Sequence, residues 1–124
     1  MIRRSVHYTI VGEPASKSNS RRLVTIGGRA RFIKSQKALD YVKAVREQVR
    51  PMQPLLSGDI RMTAHVYYAS RRPDLDVSLI LDALQGIAYE NDRQVKEMHL
   101  HHHIDRDDPR AVISLEEMTD DDGQ

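Results

Sequence analysis

Apolar and polar residues alternate over residues 6–11 and stop at Gly12-Glu13-Pro14, which predicts a first strand. Leu23-Val24-Thr25-Ile26, the pair Gly27-Gly28 and residues 29–33 predict a hairpin that turns on two glycines. Ser35 is placed to cap a helix ending before Pro51. Within it Ala38, Val42, Val45 and Val49, with Leu39 alongside, recur at helical spacing, and Lys37, Lys43, Arg46 and Arg50 fall opposite. A connector over residues 51–58 leads to Ile60, Met62, Ala64, Val66 and Tyr68, whose strict alternation predicts a strand with one buried face. A second helix is expected over residues 76–88, with Leu79, Ile80, Ala83, Leu84 and Ile87 facing inward. Residues 95–104 and 111–118 predict two closing strands joined near Asp107-Asp108-Pro109. This order of elements predicts a two-layer α+β domain, two helices packed on a mixed or largely antiparallel sheet.

With 124 residues the chain is expected to form one domain over residues 1–118, followed by an acidic, disordered tail over 119–124. Cysteine is absent, which excludes a disulfide framework, a thiolate nucleophile and cysteine-ligated zinc. The opening residues are too few and too polar for a signal peptide, and no apolar run reaches membrane-spanning length. A cytoplasmic protein with no membrane partner is the expectation. The net charge of +1 conceals an asymmetry: residues 105–124 hold eight acidic and two basic side chains, and residues 1–104 hold ten and seventeen. A basic front half suits an anionic partner, and it equally suits a merely solvated surface.

The chemistry gathers in Arg71-Arg72-Pro73-Asp74-Leu75-Asp76 and, sixteen residues later, Glu90-Asn91-Asp92-Arg93-Gln94-Val95. Clustered carboxylates repel one another unless a cation lies among them, and neighbouring arginines attract a polyanion. A hard divalent metal acting on a nucleic-acid phosphate reconciles the two. Pro73 biases Arg72 toward extended backbone, so the strand hands over to the helix there, and at such a turn Asp74 and Asp76 can converge. The competing reading is structural: either aspartate caps the helix and Asp92 sits in a turn. Lys17, Arg21 and Arg22 have the character of a phosphate-gripping loop. His99, His101 and His103 would share one strand face, where zinc or nickel, DNA phosphates or a plain polar surface would each suit them. Asp82 reads as structural, and Tyr89 as packing at the helix end.

Three segments, Arg71-Arg72-Pro73-Asp74-Leu75-Asp76, Leu81-Asp82-Ala83-Leu84-Gln85-Gly86 and Tyr89-Glu90-Asn91-Asp92-Arg93-Gln94-Val95, resemble the RusA family of Holliday-junction endodeoxyribonucleases of phages and prophages. Gly12-Glu13-Pro14 with its basic loop, and residues 35–41, are similar too. The resemblance implies a small homodimeric nuclease that cuts four-way DNA junctions symmetrically with Mg²⁺, or Mn²⁺ in its place. It puts the catalytic, metal-holding carboxylates on Asp74, Asp76 and Asp92. With it, Lys17, Arg21, Arg22, Arg71, Arg72 and Lys96 are expected to contact branched DNA. One departure stands out. The family usually carries a lysine four residues after the second aspartate; this chain has Ile80 there, and this chain's helix start is about two residues shorter. Arg71, Arg72, Lys96 and Lys17 are all candidates to replace that charge. The same departure motivates a second reading, a catalytically weak or inactive junction-binding relative. A third is metal sequestration by the histidine row.

Overall fold

The alternation at residues 60–68 is borne out at every position: Ile60, Met62, Ala64, Val66 and Tyr68 are fully buried and the residues between them are not. A computed structural model describes residues 3–15 and 21–119 of the chain. Its elements are β1 (Ser5–Val11), β2 (Arg21–Ile26), β3 (Arg29–Lys34), α1 (Gln36–Gln48), β4 (Ile60–Tyr68), α2 (Ser78–Ala83), a 3₁₀ turn (Asp92–Gln94), β5 (Val95–Ile104) and β6 (Arg110–Glu117). Four strands form one mixed sheet in the order β1-β6-β4-β5, and β2 and β3 form a separate antiparallel ribbon. The expected α+β class is therefore the one that forms. Of the acidic tail, residues 120–124 lie outside the described residues, as does Lys17.

β4 and β5 run parallel, which requires a crossover between them, and α2 lies in that crossover. β6 is antiparallel to both β1 and β4. One face of this sheet meets the helices: Tyr8 and Ile10 of β1, the five β4 residues and Ala111, Ile113 and Leu115 of β6 share a core with α1 and α2. Ser35 caps α1 as expected, its hydroxyl accepting from the Ala38 amide at 3.2 Å. The buried stripe of α1 is Ala38, Tyr41, Val45 and then Val49 just beyond its end; Val42 is half-buried and Leu39 lies exposed.

The second helix is a correction. It spans Ser78–Ala83, not residues 76–88. At its start the Asp76 side chain accepts from the Ser78 amide at 2.9 Å and hydroxyl at 2.7 Å, which closes a turn ahead of the helix. Beyond Ala83 the chain folds back through Gly86, whose φ of 79° a β-carbon disfavours. The Gly86 amide donates to the Tyr89 carbonyl at 2.7 Å, and the buried Tyr89 hydroxyl donates to the Leu81 carbonyl at 2.6 Å. Leu79, Ile80, Ala83 and Leu84 face the core as expected, whereas Ile87 is half-buried. No helix among the described residues is long and apolar enough to cross a membrane.

Candidate active site

β4 ends in Tyr68, and the following loop is wrapped around that side chain's buried hydroxyl. The hydroxyl donates to the Asp74 carbonyl at 3.0 Å and accepts from the Asp76 amide at 3.2 Å. Glu13, arriving from the end of β1, accepts from the Ala69 amide at 2.7 Å. Burial pushes the Tyr68 hydroxyl pKa up; the Asp76 amide pulls it down, and the negative charges of Asp76, Glu13 and Asp74 raise it further. The loop at the end of β4 thus brings Asp76, Glu13 and Asp74 close enough for their charges to act on one phenol.

Asp76 carries the most informative atom. Its Oδ1 accepts both hydrogen bonds from Ser78 in a turn ahead of the helix, whose N-cap is Val77 with no side-chain cap, so the expected aspartate cap does not form. Its Oδ2 is buried and has no hydrogen-bond partner. A buried carboxylate oxygen left unpaired is costly unless a cation or an ordered water completes it. Tyr41 of α1 is the neighbouring unsatisfied group: its buried hydroxyl has no partner, and its pKa is driven up by burial and then by Tyr68.

Asp92 occupies a second neighbourhood. Gln94 pins its turn by accepting from the amides of Glu90 at 3.0 Å and Asn91 at 3.1 Å while donating to the carbonyls of Leu56 and Gly58. The Asn91 side chain caps the turn through the Arg93 amide at 2.8 Å. Gln85 accepts from the Asp92 amide at 3.1 Å and donates to Asp82 at 3.1 Å. Burial, then Asp92 and Asp82, push the Tyr89 hydroxyl pKa well above its usual value. Ser78 and Asp82 stand four residues apart, hence on one face of α2. A polar track therefore runs from Asp76 through Ser78, Asp82 and Gln85 to Asp92. Among the described residues no three His, Asp or Glu side chains stand arranged to hold a metal ion together.

Arg71 and Arg72 are exposed beside Asp74. With Pro73, Leu75, His102, His103 and Ile104, Arg71 and Asp74 line an open cleft of about 570 Å³. His102 closes one wall, its ring stacked on Tyr68 at 4.7 Å and its Nε2 3.1 Å from the Pro73 carbonyl. Arg21 and Arg22 begin β2 and are exposed, and Lys96 is exposed where β5 takes an extra residue against β4. Ile80, which stands where the family carries its lysine, is fully buried in the core. The lysine that touches α2 is instead Lys34, 2.8 Å from Asp82.

The histidine row does share one face, the helix-free side of the sheet. There His101, His65, His103 and Tyr67 stack in succession at 4.4, 5.1 and 4.5 Å, and the Arg110 guanidinium lies 3.9 Å over Tyr67. His99 turns to Glu97, which also binds Arg61. Sequence reasoning missed Glu13, Lys34 and His65, because each joins its cluster through a long-range pairing, and Tyr68, because its alternation reads as a core position of β4. Glu13 alone left a trace, as the single acid among nine basic residues in residues 1–37.

An α+β domain with carboxylates gathered at one sheet end and exposed arginines beside them is built to meet a polyanion at an acidic centre. The chain matches the model of the endodeoxyribonuclease RusA family over residues 12–116 and belongs to that family. Family membership implies an endonuclease that acts at Holliday junctions. Among curated proteins no relative matches.

Proposed function

We propose that this protein is a Mg²⁺-dependent endodeoxyribonuclease that resolves four-way DNA junctions by paired phosphodiester cuts, working as a homodimer in the cytoplasm. The observation that carries the reading is the buried, unpartnered Asp76 Oδ2, in a loop that also carries Asp74 and the exposed Arg71 and Arg72. Hard carboxylate oxygens fit Mg²⁺ or Mn²⁺. Asp74 and Asp76 would hold such an ion, with Asp92 as the third catalytic carboxylate that the family motif implies. When bound, the ion supplies a water acidic enough to act as nucleophile and offsets the charge on the phosphate.

The chain's own groups do the positioning. Ser78 fixes one oxygen of Asp76, so the other is held in a single direction. Tyr68 ties the backbone at Asp74 and Asp76 to the end of β4, fixing the spacing of the two carboxylates. Arg71, Arg72, Arg21, Arg22, Lys17 and Lys96 attract phosphates, and Lys34 brings a positive charge to the α2 face where Ile80 cannot. Asp76→Asn removes charge from the unpartnered oxygen while keeping shape. Incubated with a labelled four-way junction and Mg²⁺, the wild type should cut symmetrically, and Asp76→Asn should bind the junction without cutting. A variant that cuts normally removes Asp76 from the mechanism.

The buried Ile80 and the absence, among the described residues, of three acidic or histidine side chains arranged to hold a metal ion favour a second reading, junction binding with weak or no cleavage. Junction binding by the wild type with no Mg²⁺-stimulated nicking would select it.

A further inference from the structure

The β2–β3 ribbon carries a pattern of which the proposed active site uses only Arg21, Arg22 and Lys34. Residues 21–34 hold five basic side chains, Arg21, Arg22, Arg29, Arg31 and Lys34, and no acidic one. Leu23 and Phe32 face each other across the two strands, 61% and 72% exposed. A two-stranded ribbon has no core of its own, and an exposed cross-strand pair of this size is the kind of apolar surface that marks a binding site. Its direction is fixed by Lys34. Residues two apart on a strand share a face, so Phe32 and its partner Leu23 lie on the face from which Lys34 reaches Asp82. That face looks toward the polar track of α2 joining Asp76 to Asp92. On the other face each cross-strand pair sets an arginine against an aliphatic residue: Arg22 with Ile33, Arg31 with Val24, Arg29 with Ile26.

We propose that β2–β3 is a branch-sensing ribbon. Leu23 and Phe32 cover the exposed face of a base pair at the branch point of DNA held at the acidic site, and Arg22, Arg29 and Arg31 grip phosphates of the adjoining arm. The inference rests on the reading of branched DNA as substrate and names the surface that recognises the branch. A continuous duplex hides its base faces by stacking and offers only edges and phosphates, whereas an opened branch exposes base faces that an apolar or aromatic side chain can cover. A ribbon of two strands also fits a DNA major groove about 12 Å wide. The charge selects this occupant over the same ribbon of a second copy, since two ribbons with five positive and no negative side chains each would repel.

The test compares affinity for a four-way junction with affinity for linear duplex of the same arm sequence, with Ca²⁺ replacing Mg²⁺ so that binding is read without cutting. Phe32→Ser, and the double variant with Leu23→Ser, should lower junction affinity about tenfold or more and leave duplex affinity unchanged, while Phe32→Tyr retains the preference. Arg29→Gln with Arg31→Gln should weaken both substrates and reduce the salt slope by about two. A Phe32→Ser variant that keeps the wild-type junction preference overturns the proposal. So does a Phe32→Ser variant that turns a dimer into a monomer by light scattering, which would assign the pair to a second copy. A wild type that does not distinguish junction from duplex overturns the branched-DNA reading itself, a different result from a wild type and variant that both discriminate.

Discussion

In the four-stranded sheet, Ile10, Ala64, Ile113 and Leu115 are sealed against α1 and α2; in the β2–β3 ribbon, Leu23, Ile26 and Phe32 remain more than half exposed. Both regions are strands with β-forming side chains, and both begin as similar runs in the sequence. Their charge differs. β4 places charged groups on the outward face only and β6 buries a single one, Glu117, while the ribbon mixes arginine and aliphatic residues across every pair of one face. The sheet is a frame whose apolar side chains stabilise the fold. The ribbon leaves comparable residues exposed to solvent, as the proposed DNA-facing surface requires.

The largest expected effect lies in the crossover between β4 and β5, which carries Asp76 and Asp92. Asp76→Asn and Asp92→Asn should each lower junction cleavage by roughly 100-fold or more, as loss of a metal-holding or proton-handling group does. Asp82→Asn, which removes the charge that pairs with Lys34 while its amide oxygen can still accept from Gln85, should cost far less; equal losses for all three would erase the distinction between the carboxylates and their supports. In thermal or urea unfolding, Ile113→Ala should destabilise the fold by about 2–5 kcal/mol, the usual cost of an emptied core site. Phe32→Ala should change stability by less than about 0.5 kcal/mol, as exposed substitutions do. Similar losses for the two would mean that the ribbon belongs to the core after all.

Tyr68→Phe separates positioning from packing. The ring stays buried, but the Asp76 amide loses its acceptor and the Asp74 carbonyl its donor, so cleavage should fall about tenfold with a stability loss of about 1 kcal/mol. Unchanged cleavage would remove Tyr68 from the site. The gentlest expected effect is on pH dependence. Glu117 is buried, which works to raise its pKa, but hydrogen bonds from Ser57 and Arg4 outweigh burial and hold it below the ordinary value of 4.5. Its contribution to stability is complete above pH 4.5 and drains as pH falls through the lowered value. Glu117→Gln should flatten that acid limb; an acid limb as steep as the wild type's would assign the drop to other groups.

Much of the frame was legible because local chemistry and tertiary packing agree there. The alternation of β4, the Ser35 cap and the Gly27-Gly28 turn are set by neighbours in sequence. The end of α2 was not, because apolar spacing continues through Ile87 while Gly86 and the long reach of Tyr89 back to Leu81 turn the chain away. Asp74 and Asp76 stood out by composition, yet the phenol that organises them is a residue whose alternation reads simply as core. Lys34 and His65 reach their partners only through the ribbon's direction and the parallel pairing of β4 with β5, neither of which a linear pattern encodes.

The free oxygen of Asp76 is most directly tested by titrating the protein with Mn²⁺ and following the unbound ion by electron paramagnetic resonance. The wild type should take up Mn²⁺ saturably and release it to excess Mg²⁺, and Asp76→Asn should take up little or none. Equal uptake by the two proteins would contradict the assignment of a cation to that oxygen.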